Sequence, residues 1–360
     1  MKNTIYIIAE AGVNHNGDIK LAYQLVDAAV HGGADAIKFQ TFKTEELVTN
    51  SASKAEYQKK KTQADESQYA MLKRLELSHE MHHQLVAYCK QHNIDFLSTA
   101  YDQSSLDFLV NDLGLKTLKI PSGEITNGPL LLAHAITGCD LILSTGMATL
   151  GEVEEALGVL AFGFINGKEG HIEPSKVAFQ NAYQSKEGQL LLKQHVTILH
   201  CTTEYPAPLV EINLNAMATM RSVFGLRVGY SDHSEGITVS TAAAALGAKI
   251  IEKHFTIDRN LPGPDHQASL EPSELIAMVK AIRSVEMAMG NGVKDPTPSE
   301  LKNRDIVRKS LVSKCEIEMG EVFTKENIIC KRPGAGNSPM QYWEFLGRKA
   351  LKHLNAEEYL

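Results

Sequence analysis

Two histidines occupy matching stretches of this chain: "RVGYSDHSEG" carries His233 and "KIIEKHFTIDRNLPGPDH" carries His254. Each follows an apolar, β-branched run and precedes loop-forming residues. If the two runs are neighbouring parallel strands, both imidazoles project over one mouth of the sheet. A pair of protein ligands with open positions around it suits a catalytic metal better than a structural one. A shell of nitrogen and oxygen accepts Mn2+, with Zn2+ and Mg2+ as alternatives; two structural histidines are the competing reading. Lys38 and Lys119 form a second pair, each interrupting an apolar run. A buried lysine without a counter-charge is costly, so each is expected to face an anion, whether a ligand or a carboxylate such as Glu10 or Glu124. Two ammonium groups among hydroxyls make a cradle for phosphate and carboxylate. Lys119 alone could instead serve as a Schiff-base lysine.

The elements that must position these groups are short apolar runs, at residues 4–12, 35–41, 94–100, 117–124, 140–147, 196–205, 227–232 and 249–255. Their Ile, Val and Leu content fits strands buried on both faces. Helix-like stretches lie between them. "IKLAYQLVDAAVHGGA" ends in a glycine cap signal, "HEMHHQLVAYCKQHN" follows Ser78, and "LGEVEEALGVL" follows Thr149. "ITVSTAAAALGA" and "EPSELIAMVKAIRSVEMAMG" flank the last run. Strand–helix alternation repeated about eight times is the pattern of a (β/α)8 TIM barrel. A doubly wound open sheet is the rival, weakened because no GxGxxG follows the first run.

In such a barrel the working residues sit at the C-terminal ends of strands. Those ends supply Glu10, Lys38, Gln40, Ser98, Thr99, Lys119, Ser122, Glu124, Ser144, Thr145, His200, Thr202, Thr203, Tyr205, Asp232, His233, Glu252, Lys253 and His254. The rigid segment "LPGPD" (261–265) can aim Asp265 inward, or be a simple turn.

With 360 residues the chain can build a large barrel plus an appendage. A net charge of −7 offers no global attraction to nucleic acid or an anionic membrane, so an anionic substrate must be held by local cations. The first apolar run breaks at Glu10, too early for a signal peptide or membrane span. Five cysteines without CxxC spacing suggest reduced thiols in a cytoplasm, mostly as buried filler. Two segments interrupt the alternation. The polar stretch 43–78 is expected to be an active-site flap or extra helices over a barrel mouth, and 162–189 a peripheral insertion. Domain boundaries are expected at 1–285 for the barrel, 286–303 for a polar linker with two prolines, and 304–360 for a small β-rich domain that must lean on another surface.

The motifs "IAEAGVNHNG", "IKFQTF", "FLSTAYD", "KIPSGE", "LSTGM", "LHCTTEYPAP", "GYSDHSEG", "IEKHFT" and "PGPDH" together resemble the sialic acid synthase family. The tail, with "RKSLV" and "KRPGAG", resembles that family's antifreeze-like (SAF) domain. The stretch "AEYQKKKTQADESQYAMLKRLELS" resembles the N-acetylneuraminate and legionaminate branches rather than the pseudaminate branch.

The resemblance implies condensation of phosphoenolpyruvate with an N-acetylmannosamine-type sugar and water, giving phosphate and a nine-carbon 2-keto acid. The main expectation is an N-acetylneuraminate synthase; the alternative is an N,N'-diacetyllegionaminate synthase using 2,4-diacetamido-2,4,6-trideoxymannose. A Schiff-base aldolase or metal-dependent hydrolase on the same barrel, or an ice- or sugar-binding protein suggested by the tail alone, are the other classes weighed. By similarity Lys38, Thr99, Lys119, Ser122, Ser144, Thr203 and Tyr205 would hold phosphoenolpyruvate, and Gln40 would line the pocket. Glu10, Glu124 and Asp265 would orient sugar and water and manage protons. His233 and His254 would bind the divalent metal, Mn2+ foremost. The family also implies a domain-swapped homodimer in which Arg332 contacts the sugar's N-acetyl group.

Overall fold

The computed structural model describes residues 4–49, 52–54, 67–167 and 170–360. Eight parallel strands close into a barrel in sequence order, with the first pairing to the last. They are β1 (Tyr6–Gly12), β2 (Ala36–Thr41), β3 (Asp95–Ala100), β4 (Thr117–Ile120), β5 (Asp140–Ser144), β6 (Val196–His200), β7 (Arg227–Asp232) and β8 (Ile250–His254). A helix follows each strand: α1 (Ile19–Gly32), α2 (His79–Gln91), α3 (Gln103–Asp107), α4 (Gly128–Ile136), α5 (Leu150–Asn166), α6 (Asn215–Phe224), α7 (Thr238–Ala245) and α8 (Pro272–Met289). The closed barrel removes the open-sheet rival.

Local chemistry sets the helix ends. Asp18 and Ser78 accept from the first-turn amides of α1 and α2. Thr149 and Glu152 form a reciprocal capping box on α5. Gly33, left-handed at φ 74°, ends α1.

Strand alternation splits the interior into two cores. Outward residues such as Ile7, Ile37, Leu141, Val228 and Ile251 pack under the helices. Inward residues Ile8, Ala36, Leu97, Ile142, Leu199 and Ile250 form a small plug inside the barrel. Two residues further along the strands, the same inward face carries Glu10, Lys38, Thr99, Ser144 and Glu252. The apolar plug thus forms the floor of a polar cup opening at the C-terminal end.

The two interrupting segments are packed structure. In 43–78 a helix at Gln68–Leu75 sets Met71 and Leu75 against Val13 and Phe42, beside the exits of β1 and β2; the remainder at 50–51 and 55–66 lies outside the described residues. In 162–189, α5 runs on to Asn166 and a helix at Lys176–Gln184 packs on it, with the Phe162 and Phe179 rings 5.2 Å apart.

The chain divides into two compact units, Met1–Met289 and Gly290–Leu360. The expected barrel end at 285 falls inside α8, whose helix runs on to Met289 although its last buried residue is Ile282. The expected linker 286–303 is also revised. A helix spans Pro298–Val307, because Thr297 and Glu300 form a capping box and proline at a first helical position is preorganised rather than disruptive. In the small unit β9 (Ser310–Ser313) pairs antiparallel with β10 (Ile328–Lys331) over a core of Ile317, Phe323, Ile328, Ala350 and Leu354. No described helix is long and apolar enough to cross a membrane.

Candidate active site

β1, β2 and β8 are adjacent, and their register sets Glu10 beside Lys38 on one side and His254 on the other. The Lys38 ammonium sits 2.6 Å from Glu10 Oε2 and donates to Thr99 Oγ1 at 3.0 Å. Opposite them Glu252 links both lysines: its Oε2 is 3.7 Å from Lys38 Nζ and its Oε1 3.5 Å from Lys119 Nζ. Ser231 Oγ donates to Glu252 Oε1 at 2.8 Å. All of these side chains are buried.

The electrostatics are asymmetric. Burial alone would lower Lys38, but Glu10 and Glu252 outweigh it and hold its pKa above that of an ordinary lysine. Burial wins at Lys119, whose pKa is lowered because Glu252 compensates only in part. Burial pushes the Glu10 carboxyl up to about 7 against the pull of Lys38. At Glu252 burial acts upward too, but Lys119, Lys38 and the Ser231 hydroxyl together bring it down to about 2. The two amines beside it thus favour the ionised form of Glu252.

The expected histidine pair is present, with ring centroids 5.8 Å apart. The Tyr205 ring lies 4.2 Å from that of His233. His233 Nδ1–H donates to the Thr202 carbonyl at 2.6 Å, which turns the Nε2 lone pair the other way, 3.3 Å from Ser231 Oγ. His254 Nδ1 is buried with no hydrogen-bond partner among the described residues. Burial holds both rings neutral, His233 down to about 4 and His254 well below the ordinary value. Two neutral imidazoles, one with its tautomer fixed by a carbonyl and one with an orphan nitrogen, fit a divalent cation. Among the described residues, no group of three or more metal-ligating side-chain atoms within 4.8 Å of one another includes either histidine.

Gly12 marks the centre of this cluster. A Cβ there would lie 3.3 Å from both Glu10 Oε1 and His254 Cε1, and 3.5 Å from Gln40 Nε2. Gln40 is therefore at the same mouth. A second polar nest surrounds Gly146, just beyond β5. Its amide donates to Ser122 Oγ at 2.9 Å, and Ser122 Oγ lies 3.1 Å from Cys201 Sγ. Thr203 Oγ1 abuts the position a Gly146 Cβ would take. Ser144 Oγ and Thr203 Oγ1 are buried without hydrogen-bond partners among the described residues. Buried hydroxyls left this way suit an anion that arrives with the ligand.

Glu124 accepts from Asn127 Nδ2 at 2.7 Å, so it does not pair with Lys119 as the sequence allowed. Asp265 is buried, and its carbonyl accepts from Ser269 Oγ, which also accepts from Asn14 Nδ2 at 3.0 Å. That chain ties the Asp265 loop to the exit of β1. Arg332 is exposed in the small unit.

Sequence reasoning assigned no role to Glu252, Ser231 or Cys201. For Glu252 the signal was available: it lies two residues before His254 on one strand, hence on the same face. Cys201 follows β6 and was read as filler, yet it lines the Gly146 nest.

A model of the NeuB family matches residues 25–294. The chain is 50% identical over 360 residues to the N,N'-diacetyllegionaminic acid synthase of Campylobacter jejuni subsp. jejuni serotype O:2, covering 100% of this chain and 99% of that protein. It is 45% identical over 353 residues to the N,N'-diacetyllegionaminic acid synthase of Legionella pneumophila subsp. pneumophila, covering 98% and 92%. Among solved structures it resembles the N-acetylneuraminic acid (sialic acid) synthetase of Leptospira borgpetersenii serovar Hardjo-bovis in complex with citrate, at a TM-score of 0.67 and 33% identity over 83% of this chain and 90% of that one. With the family match spanning most of the barrel and full-length relatives at this identity, the chain belongs to the NeuB family, the sialic acid synthases.

Proposed function

We propose that this protein condenses phosphoenolpyruvate with 2,4-diacetamido-2,4,6-trideoxymannose and water, producing N,N'-diacetyllegionaminate and phosphate. The sequence expectation put N-acetylmannosamine and N-acetylneuraminate first. Identity of 50% across the whole chain to a protein named for legionaminic acid supports the alternative instead, and it is the observation that carries the acceptor choice.

The reaction joins C3 of the enolpyruvate to the sugar aldehyde carbon, adds water at C2 and expels phosphate. Lys38, Thr99 and Lys119 on one side, and Ser122, Ser144 and Thr203 on the other, are suited to hold the phosphate and carboxylate. Tyr205 and Gln40 line the same mouth. Arrival of that anion would compete with Glu252 for the two ammonium groups. Glu10, held near neutrality, is poised to exchange a proton with the attacking water or the sugar hydroxyl. Asp265 and Glu124 are assigned to orienting the sugar, and Arg332 to its N-acetyl group, within a homodimer. A divalent cation on His233 and His254, Mn2+ foremost, would supply Lewis-acid polarisation of the aldehyde. Aligning three reactants accounts for much of the rate.

The test is phosphate release and product mass with each sugar in turn. Faster turnover of the diacetamido sugar is expected, and a preference for N-acetylmannosamine would overturn the acceptor assignment. The lowered pKa of Lys119 also suits a Schiff base, so borohydride trapping with pyruvate separates the chemistries. No adduct at Lys119 is expected.

A further inference from the structure

Each histidine of the pair is preceded by a charged residue, Asp232 before His233 and Lys253 before His254. Strand alternation turns these two outward, away from the cup, and they are register partners across β7 and β8. Both are almost fully buried, and Lys253 Nζ lies 3.1 Å from Asp232 Oδ2. Their remaining bonds converge on the residue after His233. Ser234 donates its amide and hydroxyl to Asp232 Oδ1 at 2.8 and 2.6 Å, and its carbonyl accepts from Lys253 Nζ at 2.6 Å. Ser240 of α7 donates to Asp232 Oδ2 at 2.6 Å, so the helix behind the strands joins the same knot.

A buried ion pair is a poor way to gain stability, since apolar residues of equal volume often do as well or better. This one sits where directional bonds have another consequence. It brackets His233 from both sides and couples its backbone to the residue carrying His254. We propose that the Asp232–Lys253 pair is a positioning device that sets the spacing and aim of the two imidazoles, and through them the affinity of the cup for a divalent cation. The inference rests on the metal reading above and adds two residues that face away from any ligand. Outer groups that orient metal ligands typically contribute 10–100-fold in affinity, which sets the expected effect.

The full-length chain, stripped of metal by chelation, is titrated with Mn2+ by calorimetry and with Co2+ by visible absorption. Wild type is compared with His233→Ala, Asp232→Asn and the double variant Asp232→Leu/Lys253→Met. Wild type should bind one Mn2+ per chain and His233→Ala should not. Asp232→Asn should weaken Mn2+ about 10–100-fold and shift the Co2+ bands. The double variant leaves no charge unpaired in the interior. It should melt cooperatively yet show the same loss, and it decides the matter if Asp232→Asn does not fold. Wild-type affinity and Co2+ spectrum in the folded double variant would overturn the positioning role and leave the metal reading standing. Failure of wild type to bind Mn2+, or unchanged binding in His233→Ala, would overturn the metal reading and this inference together.

Discussion

Glu252 decides the character of the cup at the scale of single residues. Without it, Lys38 and Lys119 would be two buried ammonium groups sharing one carboxylate, Glu10. Removing one partner of a buried ion pair costs about 3–5 kcal/mol, because the other charge stays in the interior. Glu252→Gln should therefore lower the unfolding free energy by about that amount, measured in urea. Adding Lys119→Met should recover part of it, since the second change removes the stranded charge. If the double variant is as unstable as the two single losses summed, the pair is not coupled. Arg332→Ala tests the proposed contact with the N-acetyl group. It should raise the KM for the acceptor sugar and leave the KM for phosphoenolpyruvate unchanged, and an equal rise in both would remove its assignment to the N-acetyl group.

Among the elements, the β7–β8 junction matters most, because His254 ends one strand and His233 directly follows the other. Gly229 lets the two strands approach: a Cβ there would meet the Ile250 carbonyl at 2.5 Å and Leu199 Cδ2 at 2.6 Å. Neither neighbour can yield easily, one being backbone and the other part of the barrel plug. Gly229→Ala should cost about 1–3 kcal/mol through overpacking and displace the histidines relative to each other. Thr149→Ala is the natural contrast. It removes the capping box of α5, on the outside of the barrel, and should cost about 1 kcal/mol with kcat unchanged. Equal loss of kcat in both variants would contradict a specific role for the junction.

For the molecule as a whole, buried histidines outside the proposed site add to the response to acid. Burial lowers His82, His134 and His266 from 6.5 to about 4, and His15 to about 3. Each binds its proton more weakly folded than unfolded. Their contribution to stability is complete above pH 6.5 and is lost as pH falls toward 4. Each such group adds a slope of about 1.4 kcal/mol per pH unit within that window. The urea midpoint should fall steeply between about pH 6.5 and about pH 5. His134→Met, which replaces a fully buried ring, should make that fall shallower. An unchanged slope would mean that His134 is already protonated in the folded chain.

The eight strand positions were legible in the sequence to within a few residues, because each is a local run of β-branched and apolar side chains bounded by turn residues. The helix caps at Ser78 and Thr149 and the facing histidines were legible for the same reason: the information lies within a few residues. The helix at Pro298–Val307 was misread because its prolines suggested a linker, although one of them opens the helix. What only the closed barrel decided is who meets whom across the cup. Glu10, Lys38, Lys119 and Glu252 are far apart in the chain, and the choice of Glu252 over Glu124 as partner of Lys119 follows from ring closure between β1 and β8. The sequence by itself determined which side chains face inward, through the two-residue period of a strand. The tertiary structure alone determined their charges: Lys119, Lys38 and the Ser231 hydroxyl favour the Glu252 carboxylate, whereas at Glu10 burial outweighs the pull of Lys38.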